Sequence, residues 1–495
     1  MAPSDAAAPA ERRLHPWSWL FVLIAQLKQF VVPLLAVFFF GGDRNELWPL
    51  LGVGVLALVS LLQYFTYRYA VGRDALTIRS GWLHRSRREI PFARIHNVEV
   101  QQSLLHRLFG VAELRLESAG GTRPEAQMRV LRLDEALALE RLLRQRGASE
   151  PAAAEAPAAT PLLRLSSAEL VRLGLISNRG LIVVGALAGA ASQVSPRLLP
   201  DLVAVWGELL FGWINGQHFD LLQTGIAVAT LVLVGVLLLR LLSVVLALVQ
   251  YHGFTLVEHG RRLTVERGLL ARLRTSTSRR RIQAWTLHEG VLHRWFGRRS
   301  LHVDSAAGVQ NDAAQQRALR ELAPIATPAQ CDALIAHLLP DAGWNTLQWQ
   351  PLHPRAWRRL ALPGVLFGLA LTLALGWRFG APGLLALLWL PWAVFAARRH
   401  AQLAGYACNG RLVAVRGGWL QRHWRFAELA KLQALRWTQS PFDRRHGMAT
   451  LWLDTAGASP LAPPLRIRYL DAATARALQR EFAARIARRA AATSA

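Results

Sequence analysis

Residues 76–110 read LTIRSGWLHRSRREIPFARIHNVEVQQSLLHRLFG, and their pattern decides the fold. Leu76 and Ile78 alternate with Thr77 and Arg79, the period-two signature of a half-buried strand. Ser80-Gly81 marks a turn, Trp82 to Ile90 a return strand, and Ile95 to Val100 a third strand. Leu104 to Phe109, ending at Gly110, reads as a short helical turn with a glycine cap. Beyond it Ala112, Leu114 and Leu116 alternate with Glu113, Arg115 and Glu117. A further strand, Met128 to Leu133, runs into Asp134 as an N-cap and a helix over 135–146. This order of elements predicts a small antiparallel barrel closed by one C-terminal helix.

Working outward, the arrangement returns twice. Gly81-Trp82-Leu83 has counterparts in Gly268-Leu269-Leu270 and Gly418-Trp419-Leu420. With those glycines superposed and no gap introduced, Ile95 meets Ile282 and Leu432, and Arg107 meets Arg294 and Arg444. Gly110 meets Gly297 and Gly447, Leu114 meets Leu301 and Leu451, and Ser118 meets Ser305 and Thr455. Gln102-Ser103 meets Gln439-Ser440, where the middle copy has Glu289-Gly290. The third copy closes as the first does: Leu465, Ile467 and Tyr469 alternate, then Asp471 starts a helix to about Ala487. The middle copy ends on Leu322-Ala323-Pro324-Ile325 and a helix from Pro328 to Leu338.

Between and before the copies the chain is apolar. Hydrophobic residues make up 52% of its 495 residues and charged ones 18%, yet 58 basic residues face 32 acidic ones, a net charge of +26. Such a chain must segregate its two characters, which excludes both a uniform globule and a disordered chain. Apolar runs cover Trp17 to Phe40 and Leu47 to Phe65, then about Gly180 to Val194 and Leu221 to Gln250, then Leu360 to Trp377 and Pro382 to Ala397. They predict six membrane helices in three hairpins, one before each copy of the domain. The first run is too long for a cleaved signal peptide, and a second span follows at once. Arginines crowd 66–172, 251–359 and 398–495, whereas 198–219 has none. By the positive-inside rule both termini and all three large segments are expected in the cytoplasm.

The combination Leu76, Ile78, Gly81-Trp82-Leu83, Ile90-Pro91, Arg94-Ile95, Val98 and Gln102 to Gly110 resembles the bacterial pleckstrin-homology-like domain of YdbS/YdbT-type membrane proteins. Ser118-Ala119-Gly120, its counterparts Ser305-Ala306-Ala307-Gly308 and Thr455-Ala456-Gly457, and Gly174 to Asn178 fit the same resemblance. The third copy departs from it, with Glu428 at the place of Pro91 and Leu432 at that of Ile95. The resemblance implies a seven-stranded sandwich capped by a helix for each copy, a place in the bacterial envelope, and for some members a shorter partner with one such domain. It brings no catalytic residues and no cofactor.

The expected fold class is therefore an α+β membrane protein. It has an N-terminal segment and hairpin over 1–65, a first PH-like domain over 66–147, and an Ala/Pro linker over 148–163. An interfacial helix and second hairpin over 164–250 lead to a second domain over 251–340, then a third hairpin over 356–398 and a third domain over 399–490.

Motifs for chemistry are missing. There is no G-x-S-x-G, Walker loop, H-E-x-x-H or Cys-x-x-Cys, and Cys331 and Cys408 are the two cysteines, so neither an enzyme nor a metal site is expected. His288 and His293 stand five apart, a spacing wrong for ligands on one helix face. What remains is charge. Arg272, Arg274, Arg279, Arg280 and Arg281 form the densest basic run, and Arg85, Arg87 and Arg88 occupy the matching region of the first copy. They are candidate contacts to anionic lipid, since the guanidinium fork suits phosphate and the domains are tethered to a bilayer. Lys28 and Arg240 sit inside apolar runs, where an unpaired charge costs several kcal/mol, about 3 or more.

The resulting expectation is a multi-pass scaffold of the bacterial inner membrane. Its cytoplasmic domains would bind each other, a smaller PH-domain membrane protein, or anionic lipid, in envelope maintenance or stress, with a homo-oligomer the expected state. The alternative is export or transport of a lipid or antimicrobial peptide along a polar path containing Arg240 and Lys28. Nucleic acid is not an expected partner.

Overall fold

The computed structural model describes residues 11–24, 47–81, 85–92, 95–118, 126–146, 161–194, 220–305, 320–457 and 462–494, with isolated positions between these stretches. They divide into two compact units, Met1–His259 with Thr264–Ser276, and Gly260–Leu263 with Thr277–Ala495.

In the first unit β1 (Glu11–Arg13) precedes the apolar helix α1 (Leu47–Thr66) and β2 (Arg68–Val71). With β3 (Ala75–Ser80) and β4 (Ser86–Pro91) these strands make a four-stranded antiparallel sheet in the order β1-β2-β3-β4, so β4 is an edge. Next come β5 (Ile95–Gln102), the short helix α2 (Leu104–Leu108), β6 (Val111–Ser118), β7 (Ala126–Arg132) and α3 (Leu133–Arg146). Leu76, Ile78 and Ile90 of the first sheet pack with Val98, Leu114 and Leu116 of the second and with Ala136, Leu139 and Leu143 of α3. Each fully buried leucine or isoleucine contributes about 1.5–3 kcal/mol, which is why the period-two faces close on one another and on the helix.

The second sheet does not stop at β5. It continues in the order β7-β6-β5-β11-β10-β9-β8, with β8 (Pro161–Arg164), β9 (Thr255–His259), β10 (Arg262–Arg267) and β11 (Arg272–Ser278) supplied by the following repeat. Between β8 and β9 run α4 (Ser167–Ile176), α5 (Arg179–Val194) and α6 (Leu221–Tyr251).

The second unit repeats the scheme. It holds β12 (Ile282–Glu289), α7 (Val291–Trp295), β13 (Arg299–Ser305), β14 (Glu321–Ala326) and α8 (Pro328–Leu338). The third repeat adds β15 (Gln350–Pro351), α9 (Ala356–Phe379), α10 (Trp389–Leu403), β16 (Gly405–Cys408), β17 (Leu412–Gly417) and β18 (Arg422–Glu428). One sheet runs β14-β13-β12-β18-β17-β16-β15 across the repeat boundary. The last elements are β19 (Leu432–Thr438), α11 (Pro441–Arg445), β20 (Met448–Thr455), β21 (Arg466–Asp471) and α12 (Ala472–Ser494). Strands β19, β20 and β21 form a separate sheet with β19 at its edge. Val413 and Ala427 pack with Leu451, Ile467 and, from α12, Ala475 and Phe482.

The turn glycines show why the repeats keep them. Gly268 has φ 110° and Gly418 φ 88°, and a Cβ on either would stand 1.9 or 1.7 Å from the carbonyl oxygen of Ala271 or Gln421.

Among the described residues three helices are long and apolar enough to cross a membrane, at Leu222–Tyr251, Ala356–Phe379 and Ala381–Leu403. They become four if α4 and α5, bent by 56°, count as one broken span. The sequence predicts six spans. Most of the first, Trp17 to Phe40, lies outside the described residues, and the run from Gly180 forms a helix of only 16 residues. The α4 segment, expected as an interfacial helix, buries Leu170, Leu173, Gly174 and Ile176. A Cβ on Gly174 would meet Val244 Cα of α6 at 2.4 Å, so these backbones touch. Only 11% of the apolar window of α6 is buried, which leaves its surface for lipid rather than water.

Candidate functional site: the strand junctions between repeats

The repeats are joined where the return strand of one copy pairs antiparallel with the third strand of the copy before it. In the first unit Arg272 lies opposite Gln102, Leu273 opposite Gln101, Arg274 opposite Val100 and Thr275 opposite Glu99. In the second unit Arg422 lies opposite Glu289, His423 opposite His288, Trp424 opposite Leu287, Arg425 opposite Thr286 and Phe426 opposite Trp285. Arg272 and Arg422 hold the same place after the turn glycine, and Gln102 and Glu289 the same place before the short helix. The two junctions therefore share one register.

Side chains seal each seam. At the first, Thr275 donates to the buried carboxylate of Glu99 at 3.5 Å. Arg274 pairs with Glu266 at 2.9 Å and reaches Glu140 of α3 at 3.6 Å, and Arg107 donates to the Leu269 carbonyl at 2.8 Å. At the second, Arg425 donates to Asp304 at 2.6 Å and to Thr286 at 2.8 Å, all three buried. Trp285 and Phe426 stack at 6.1 Å, and Arg294 donates to the Leu420 carbonyl at 3.1 Å. The Arg107 and Arg294 contacts explain a conspicuous arginine of the repeat: it clamps the loop before the neighbour's strand.

Histidines concentrate at the second seam. His288 faces His423 across the strands and meets the ring of His302 at 5.1 Å. Burial pushes the His288 imidazole down to about 3, with His302, His423, His293 and Arg425 adding positive charge nearby. Burial pushes His423 down to about 4, with His400, Arg468 and Arg425 adding to it. Both stay neutral at ordinary pH. No group of histidine, cysteine, aspartate or glutamate among the described residues is arranged to hold a metal ion. Burial raises both thiols, Cys331 and Cys408, to about 12, which keeps them protonated.

The arginines singled out from sequence do not act as one patch. Arg274 is committed to Glu266 and Glu140, Arg279 donates to the Leu338 carbonyl at the end of α8, and Arg87 pairs with Glu89 at 2.6 Å. The Arg280 carbonyl accepts from Lys431, and that of Arg281 from Gln283. Arg85, Arg88, Arg272 and Arg280 have exposed side chains. Reasoning from sequence alone missed Arg425, Glu99 and Asp304; the first sits at the repeat position of Arg88, and only the superposition of repeats signals it.

In the membrane part Arg240 donates to the carbonyls of Leu175 at 3.2 Å and Ser177 at 3.0 Å, and to Asn178 Oδ1 at 3.1 Å. These carbonyls are freed where α4 breaks from α5, at a negative helix end that favours a cation. Lys28 lies outside the described residues.

Comparison with known proteins agrees with the repeat. The family described as bacterial PH domain matches residues 21–147, 203–337 and 359–486. The chain is 21% identical over 466 residues to UPF0699 transmembrane protein YdbT of Bacillus subtilis (strain 168), covering 89% of this chain and 92% of that one. No solved structure matches it.

Proposed function

Because the chain belongs to the bacterial PH domain family, we propose that it is a multi-pass scaffold of the bacterial inner membrane whose PH-like domains work by joining sheet edge to sheet edge. The observation that carries this reading is the pair of junctions with one register, β5 with β11 and β12 with β18. Edge pairing is a binding mode in which main-chain hydrogen bonds give affinity and buried side chains give specificity. The domain uses it with its own kind, and the side chains at each seam differ, which suits selection among partners. Arginine placement supports cytoplasmic domains and termini, with three hairpins of two helices each above them.

The test is native mass spectrometry of the whole protein taken from membranes in lipid discs. A defined oligomer, or a complex with another membrane protein, is the expected result. A single chain with no protein partner would overturn the scaffold.

Contact with anionic lipid is a second reading, favoured by the exposed guanidiniums of Arg85, Arg88, Arg272 and Arg280. The transport alternative needs a polar path containing Arg240 and Lys28; Lys28 lies outside the described residues, and the three oxygen partners of Arg240 give it a structural task.

A further inference from the structure

Among the described residues the seam register leaves two strands over. Strand β4 is the first repeat's counterpart of β11 and β18, and β19 is the third repeat's counterpart of β5 and β12; each lies at the edge of its sheet. We propose that β19 of one molecule pairs with β4 of a second copy of this chain, in the register that joins consecutive repeats. The inference rests on the scaffold reading and specifies its partner. Transfer of the register puts Arg85 opposite Gln439, Ser86 opposite Thr438, Arg87 opposite Trp437, Arg88 opposite Arg436 and Glu89 opposite Leu435.

Three observations favour a copy of the chain as the occupant. The first is charge. Arg88 holds the repeat position of Arg425, and Asp454 that of Asp304. Ala434 faces Asp454 as Ala284 faces Asp304, so both aspartates stand on the strand behind the seam at the same height. Inside the chain this pair is a salt bridge with side chains 3% and 6% exposed. Its two halves at the open ends, Arg88 and Asp454, are exposed. Charged residues also blunt solitary edges, and Arg425 is an arginine at this same position that a seam takes in and pairs. Arg436 takes the place of Thr286, so Asp454 would serve two guanidiniums.

The second is burial. Glu99, Val100, Thr286 and Leu287 are buried at the seams, whereas Arg436, the counterpart of Glu99 and Thr286, is exposed. Trp437, the counterpart of the buried Val100 and Leu287, is only partly buried. The third is shape. A cavity of about 560 Å³ opens over β19 and the strands behind it, lined by Arg425, Ala434, Arg436, Trp452, Asp454 and Pro464. The contact is head to tail, so it extends a row of molecules or closes a ring.

The experiment uses the full chain in detergent micelles, with native mass spectrometry across concentration and disulfide trapping. Multiples of the chain mass are expected. Arg88→Asp and Asp454→Arg should each weaken association at least ~10-fold, and the double variant should restore it. Chains carrying Ser86→Cys and differently tagged chains carrying Thr438→Cys should cross-link, while Glu89→Cys with Thr438→Cys should not. The trap keeps the test decisive if a charge variant fails to fold. A single-chain mass with no cross-link, or oligomers that neither charge reversal weakens, would overturn the proposal. A complex with a different membrane protein and no self-association would overturn it too, and would leave the scaffold reading standing.

Discussion

Arg425 Nη2 lies 2.6 Å from Asp304 Oδ2, with 3% and 6% of the two side chains exposed, although the residues belong to different repeats. The pair is closed further by Thr286, which accepts from the same guanidinium. Replacing Asp304 with alanine leaves a buried guanidinium without its counter-charge, and the expected loss is about 3–5 kcal/mol. Denaturant unfolding should record it, and amide exchange should show β12 and β18 losing protection together. Unchanged protection would mean that the seam is held without this pair.

The turn glycines give a second expectation. Gly418→Ala places a Cβ 1.7 Å from the Gln421 carbonyl at φ 88°, and a strained residue of this kind costs about 1–3 kcal/mol. Gly410, where nothing stands within 4 Å of a Cβ, is the control, and Gly410→Ala should be nearly neutral. The thermal midpoints of the two variants compare them directly.

The second seam should weaken in acid. His288 and His423 are held down to about 3 and about 4 in the folded protein, against about 6.5 in an unfolded chain. Below pH 6.5 the unfolded state binds protons that the folded state refuses. The stability is therefore fully present above about 6.5 and is lost progressively as pH falls toward the folded values. Denaturation midpoints at pH 7.5, 6 and 5 should fall in that order, and His288→Gln should flatten the slope.

Arg240→Leu should destabilise the membrane part. It removes the donor to the partly buried Leu175 and Ser177 carbonyls, and an acceptor left unmet away from water costs about 1–3 kcal/mol. Faster exchange or proteolysis at residues 175–179 is the expected readout. An unchanged break would assign Arg240 another task.

Lipid contact predicts a separate loss. Arg272→Ser with Arg280→Ser removes two exposed guanidiniums, each worth about 1 kcal/mol near an anionic surface. The full chain in discs should then retain less anionic lipid at low salt, and equal retention would remove the lipid reading.

The local features were legible in the sequence. The repeat, its turn glycines and the closing helices all rest on patterns among near neighbours in the chain. Helix α8 runs from Pro328 to Leu338, the bounds expected from the sequence, and Thr327 caps it. Apolar length likewise gave the spans at α6 and α9. The break at Ser177-Asn178 was not legible, because the side chain that holds it comes from Arg240, far along the chain.

The seams were beyond the sequence for a different reason. Period-two alternation fixes which face of a strand is buried, not which strand lies beside it, since ladder hydrogen bonds use backbone groups that every residue carries. The sequence by itself thus determined three copies of one module and the apolar runs that separate them. The tertiary structure alone decided that the copies share sheets, because an arginine at one repeat position can stay solvated, as Arg88 does, or be buried against an aspartate of the preceding copy, as Arg425 is.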